Sequence, residues 1–250
     1  MLKAVIFDLD DTLIDWSALD ENYQTRQVPH LEAVFRYITQ HHHLEDPEAF
    51  IKAFRARSDA AWEASRNEHV APHMGRDLLQ AAADLGVPIE LFEAEMLMQA
   101  YEWGVTKGCV AFPESAEVLA LLRDRGLKLG LITNAYQPMW AREIEMEGLG
   151  ILEYFEDCRM SAADHGYLKP HPSIFQKSLE CLGVEPSEAV FVGDDVHADI
   201  VGAQAAGIYA VLRSCAHRDQ TLNGTVPDSH IDNLWELPAV LDKAFPGWGQ

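Results

Sequence analysis

Basic residues are scarce: 19 Lys and Arg stand against 40 Asp and Glu in 250 residues, a formal net charge of −21. A surface of that sign repels nucleic acid and anionic membranes, which excludes binding through a broad basic face. Long hydrophobic runs are also missing, and none approaches the roughly 20 residues that a membrane helix needs. The opening MLKAVIFDLDDT passes from a short apolar stretch straight into acids, so it does not read as a secretory signal. Cysteine is sparse: Cys109, Cys158, Cys181 and Cys215 lie far apart, with no CxxC pair. That spacing predicts reduced thiols in a cytoplasmic protein, all four serving as small buried hydrophobes. No GxxxxGK(S/T) phosphate loop, internal repeat or low-complexity tail occurs. Nothing in the sequence specifies an oligomeric state.

What is present falls into two textures. Ala4-Val5-Ile6-Phe7 is a continuous apolar run ending in acids, as in a strand buried on both faces. From about Asp15 to Lys107 the strand signal disappears. Leu31, Val34, Phe35 and Ile38 recur at helical spacing, as do Ile89, Phe92, Met96, Ala100 and Trp103, and Ala49 to Ser65 is also helix-like. After Cys109 strands and helices alternate. Pro113-Glu114 opens a helix that Gly126 closes, Leu127 to Thr133 reads as a strand, and Trp140 to Glu147 as a helix. A short strand near Tyr154 to Met160 precedes a helix from Pro172 to Gly183. Ala189 to Val192 is then a strand, Ile200 to Ala206 a helix and Ile208 to Leu212 a strand. This alternation predicts an α/β fold with a doubly wound parallel sheet, a Rossmann-like core of residues 1–14 and 109–250. Residues 15–108 form an α-helical cap inserted after the first strand.

Ligands of open parallel sheets bind outside the carboxyl ends of the strands. Four polar segments fall there: Asp8-Leu9-Asp10-Asp11-Thr12, Thr133-Asn134, Lys169-Pro170, and Gly193-Asp194-Asp195 with Asp199 beyond. Clustered carboxylates are costly without a cation. Hard oxygen donors without clustered His or Cys favour Mg²⁺ over zinc. Thr133 and Lys169 add a hydroxyl and a fixed positive charge for an anion. The constellation reads as a phosphoryl-transfer site.

The segments FDLDDT, LITN, LKP and VGDDVHAD resemble, in order and spacing, the four motifs of the haloacid dehalogenase-like hydrolase superfamily. The helical insertion between the first two resembles that superfamily's subfamily I. The resemblance implies Asp8 as the nucleophile that forms an aspartyl-phosphate. It implies Asp10 as general acid–base, lending its backbone carbonyl to the metal. Thr133, Asn134 and Lys169 would hold the phosphate of a small phosphorylated substrate. Asp8, Asp10 and Asp194 would hold Mg²⁺, with Asp195 or Asp199 as further ligand or support. An aspartate nucleophile, ordinarily ionised at neutral pH, needs no activating base.

Within the superfamily, dehalogenases lack an acid at the position that Asp10 fills. Phosphonatases use a cap lysine, and only Lys52 and Lys107 are on offer, neither in an evident motif. A phosphatase is therefore favoured, with a phosphomutase or a catalytically silent regulatory protein as alternatives. Trp16 reads as a packing aromatic, and His41-His42-His43 as a polar helix end. The cap loop from Arg66 to Met74 is expected to choose the leaving group.

Overall fold

The computed structural model describes residues 1–19, 23–156 and 158–249. Strand β1 (Ala4–Phe7) is followed by β2 (Ile14–Asp15) and helices α1 (Tyr23–Arg26), α2 (Val28–Thr39), α3 (Pro47–Glu68), α4 (Met74–Asp84) and α5 (Ala94–Ala100). The chain returns through β3 (Val110–Ala111), α6 (Ser115–Asp124), β4 (Lys128–Thr133), α7 (Met139–Gly148), β5 (Cys158–Ser161), α8 (Ala162–His165) and α9 (Pro172–Leu182). It closes with β6 (Ala189–Gly193), a wide helical turn over Val196–Val201 running into α10 (Gly202–Ala205), then β7 (Tyr209–Arg213), β8 (Ser229–Ile231) and α11 (Leu237–Ala244).

Six strands form one parallel sheet in the order β5-β4-β1-β6-β7-β8. Period-two alternation feeds a core on each side. Val5 and Phe7 of β1 join Leu129, Leu131, Val190 and Val192 on one face. Ala4 and Ile6 join Ile132, Ala189 and Phe191 on the other. Gly130 lies on this second face, where an added Cβ would come 3.0 Å from Leu182 and 3.3 Å from Ile6. The order reverses around β1, so its carboxyl end opens onto a crevice between β4 and β6.

A third apolar core is built from α2 to α5, with Phe50, Phe54, Leu78 and Tyr101 among its fully buried residues, and Tyr136 and Ala141 join it. The chain enters and leaves this helical part through an antiparallel ribbon, Ile14 opposite Ala111 and Asp15 opposite Val110.

Several expectations need correction. The helix expected through Ile89 and Trp103 is broken, because Pro88 caps a short 3₁₀ turn over Ile89–Leu91 and α5 starts only at Ala94. The β2–β3 ribbon, β8 and α11 were not read from the sequence. Two-residue strands carry no periodic signal, and β8 buries only Ile231 fully at a sheet edge. Cys181 is exposed, unlike the other three cysteines. The buried stripe of α9 is Ile174, Phe175, Ser178, Leu179 and Leu182, and position 181 falls off it.

Candidate active site

The end of β1 is set by a tight turn in which Leu13 and Ile14 both donate backbone hydrogen bonds to the Leu9 carbonyl. Asp11 occupies the left-handed region there, at φ 61°, which an aspartate tolerates better than most residues. The turn aims Asp8 into the crevice. Across from it, Lys169 places Nζ 2.6 Å from Asp8 Oδ1, 2.7 Å from Asp199 Oδ1 and 3.0 Å from the Ile132 carbonyl. Three acceptors match the three protons of an ammonium group.

Asn134 is tied to Lys169. Both ends of its side chain are committed to the backbone of Lys169, Oδ1 accepting from the amide at 2.7 Å and Nδ2 donating to the carbonyl at 3.0 Å. The side chain thereby positions the lysine. Asp195 opens the helical turn after β6. It is exposed, and its Oδ1 caps the following helical turn by accepting from His197 N and Ala198 N. Asp199 points inward instead, its Oδ2 accepting from the Asp195 amide at 3.0 Å. Gly193 makes room for it, since a Cβ there would lie 2.3 Å from Asp199 Oδ2.

Asp8, Asp194 and Asp199 are all buried, with donor oxygens within 4.8 Å of one another. Burial pushes Asp8 well above the ordinary carboxylate range; Lys169 opposes this, and Asp199, Asp194 and Asp10 add to it. Burial and Asp199 push Asp194 up to about 7. Burial would strip Lys169 of its proton, yet Asp199 and Asp8 outweigh it and raise the ammonium above its usual range. One lysine cannot neutralise three carboxylates. The set fits a hard divalent cation such as Mg²⁺, whose charge would favour the ionised form of these acids. Thr12, a residue the sequence reading left unassigned, donates to Asp194 Oδ1 at 3.4 Å.

Asp10 faces another way. Its Oδ1 accepts from Arg142 Nη2 at 2.6 Å and from Trp16 Nε1 at 2.9 Å, and its Oδ2 accepts from Thr133 Oγ1 at 3.2 Å. Trp16 thus does more than the packing expected of it. Arg142 is buried, and its guanidinium also meets the fully buried Glu145 at 3.0 Å. The signal for this pair was an Arg and a Glu three apart on the buried stripe of α7, beside Met139, Ala141 and Met146. Asp10, Trp16, Arg142, Gln137, His217 and Arg218 line a cavity of about 460 Å³.

Glu145 carries a pH signature. Burial raises its carboxyl from 4.5 to about 7, with Arg142 opposing and Asp10 reinforcing. The folded state therefore binds this proton more tightly than the unfolded chain. The stability it lends is full below the ordinary value and is lost as pH rises towards the folded one. Wild-type stability should therefore fall relative to Glu145→Gln between pH 4.5 and about 7. Denaturant titrations across that window check it, and parallel curves for the two proteins would overturn it.

The loop between α3 and α4 hydrogen-bonds to the segment before Lys169 and to the one after Thr133. Leu168 N donates to the His69 carbonyl at 2.7 Å, Ala71 N to that of Gly166 at 2.9 Å, and Met74 N to that of Tyr136 at 2.8 Å. Arg66, in the last turn of α3 before this loop, lies on the surface and pairs with exposed Glu63.

An open parallel sheet with buried acids and a buried lysine at its carboxyl rim defines an α/β domain with a charged site at its strand ends. The family model described as haloacid dehalogenase-like hydrolase matches residues 2–207. In sequence the chain is similar to a glyceraldehyde 3-phosphate phosphatase of Methanopyrus kandleri, 31% identical over 96% of this chain and 97% of that one. In structure it is similar to a HAD phosphatase from Thermococcus onnurineus, with TM-score 0.63 and 26% identity over 96% and 98% of the two chains. A 2-haloacid dehalogenase from Pseudomonas syringae pv. Tomato gives TM-score 0.61 and 29% identity over 97% and 99%. The chain belongs to the haloacid dehalogenase-like hydrolases. Within them it is an enzyme of the phosphatase class.

Proposed function

We propose that this phosphatase is Mg²⁺-dependent and hydrolyses a small phosphorylated metabolite through an aspartyl-phosphate on Asp8. The observation that carries the reading is the ammonium of Lys169 held between Asp8 and Asp199, with Asp194 beside them. Asp8 attacks phosphorus through a carboxylate oxygen, and the bond to the leaving oxygen breaks. Asp10 gives that oxygen its proton, then takes one from the water that cleaves the acyl-phosphate. Arg142 and Trp16 fix the Asp10 carboxyl for both transfers. With substrate bound, the Thr133 hydroxyl turns from Asp10 and the Lys169 ammonium from one of its carboxylates to hold the phosphoryl oxygens, while Asn134 keeps Lys169 in place. Asp8, Asp194 and the Asp10 carbonyl hold the metal, with Asp199 as support. Mg²⁺, when bound, supplies the charge that offsets the carboxylates and the phosphoryl group.

The division into a core of 1–14 and 109–250 and a cap of 15–108 is part of the same reading. A separate apolar core in the helical part and the two-stranded ribbon joining it support that division. Asp10 favours phosphate over halide chemistry, despite the likeness to a dehalogenase. A cytoplasmic setting is supported by four free thiols. No helix among the described residues is long and apolar enough to cross a membrane.

The test is phosphate release from a panel of phosphate esters, including glyceraldehyde 3-phosphate, hydroxy-acid phosphates, sugar phosphates and nucleotides. Chelation by EDTA should abolish release and added Mg²⁺ restore it. Full activity after exhaustive chelation would remove the metal from the mechanism. Phosphoryl transfer between sugar positions without net phosphate release would favour a mutase.

A further inference from the structure

A second group of metal-ligand residues lies beside the acid cluster and uses none of its members. Cys215 and His217, two residues apart in the loop after β7, meet Asp11 of the turn after β1. The Cys215 sulfur is 3.5 Å from His217 Nδ1 and 3.7 Å from Nε2, and Nε2 is 2.9 Å from Asp11 Oδ1. All three donors fall within 4.8 Å of one another. Tetrahedral zinc, with bonds of about 2.0 Å to nitrogen or oxygen and about 2.3 Å to sulfur, separates its ligand atoms by roughly 3.3–3.7 Å. The separations given for the nitrogen are already close to that pattern.

We propose that Asp11, Cys215 and His217 form a binding site for a thiophilic divalent cation of the Zn²⁺ class, distinct from the Mg²⁺ group.

Three features of the surroundings suit that role. Arg218 donates to Asp11 through Oδ2, with Nε and Nη2 both at 2.6 Å, which leaves Oδ1 aimed at the imidazole. Such an outer partner orients a ligating carboxylate. The loop is held in shape by Cys215 N donating to Gln220 Oε1, and Gln220 Nε2 donating to the carbonyls of Asp194 and Arg213. Asp11 and His217 also line the 460 Å³ cavity, so a fourth position is open to water. Binding displaces the thiol proton to solvent, and the resulting thiolate and carboxylate balance the two charges of the cation. Sulfur and imidazole select against Mg²⁺, which demands six oxygen donors. Cys215 is buried as expected, and on this proposal it also serves as a ligand. The Cys-Ala-His spacing was the site's only trace in the sequence, because its third ligand lies some two hundred residues away, at a separation of 206 from His217.

Cobalt(II) is the probe, since a cysteine thiolate on Co²⁺ gives an intense near-ultraviolet charge-transfer band. Titrating Co²⁺ into the full-length protein should produce that band at one equivalent. Zn²⁺ should abolish it stoichiometrically, and excess Mg²⁺ should leave it in place. Cys215→Ser should lose the band. His217→Ala, at a half-exposed side chain, should weaken Co²⁺ binding at least about tenfold, the cost of losing even an outer-shell partner. Asp194→Ala should keep the band, which separates this site from the oxygen cluster. No band in the wild type, a band surviving in Cys215→Ser, or its removal by Mg²⁺ would each overturn the proposal. Thermal unfolding of all three variants checks that they fold.

Discussion

Asp8→Asn is expected to lower phosphate release by on the order of 10⁴-fold or more on every substrate, the scale on which loss of a nucleophile is felt. An amide cannot form the acyl-phosphate, and Asp199, the other carboxylate on Lys169, has its second oxygen committed to the Asp195 amide. Fold should survive. The asparagine oxygen can still accept from Lys169, and one of three mutually repelling acids is gone. The measurement is single-turnover phosphate release at saturating Mg²⁺, paired with a thermal unfolding curve. Near-wild-type turnover by this variant would sink the mechanism. Loss of turnover together with loss of fold would shift the role of Asp8 from chemistry to structure.

Lys169→Met should remove activity and stability together. Lys169 is 4% exposed, and its ammonium meets two carboxylates at 2.6 and 2.7 Å. Replacing it with an apolar side chain of similar length leaves buried acids facing one another. Breaking a buried ion pair from one side costs about 3–5 kcal/mol. Mg²⁺ should recover part of that stability, because a cation again stands among the acids, but not the activity. The kinetic loss should also be uniform, since every substrate presents the same phosphoryl group to this residue. A panel of kcat/KM values checks it. Losses that differ tenfold or more between substrates would place Lys169 on the leaving group instead.

Much of the site was legible because its chemistry sits at strand ends, and strand ends are marked by abrupt changes from apolar to polar residues. Asp8 follows four fully buried residues of β1, and Asp194 follows five of β6. Roles were harder to read than positions. Asn134 and Asp195 stand in motif segments, yet their side chains serve the backbone around them. Residue type cannot distinguish an amide that holds a ligand from one that holds a neighbouring loop, since both uses need the same donor and acceptor. Arg142 escaped notice because a helix interrupted by charges reads as amphipathic, and the inward turn of this pair depends on what lies above it.

The sequence by itself determined the layered α/β core, the insertion after β1 and the acids at the sheet's carboxyl rim. These rest on local periodicity and on the cost of burying backbone and apolar groups, which act over a few residues. Tertiary structure alone decided which charge meets which. Asp8 finds Lys169 across 161 residues, Asp10 finds Arg142 across 132, and Asp11 finds His217 across 206. Such pairs form only when the whole sheet is assembled. A charge buried at a strand end is stabilised by whichever partner the fold brings within about 3 Å, and sequence spacing does not encode that distance.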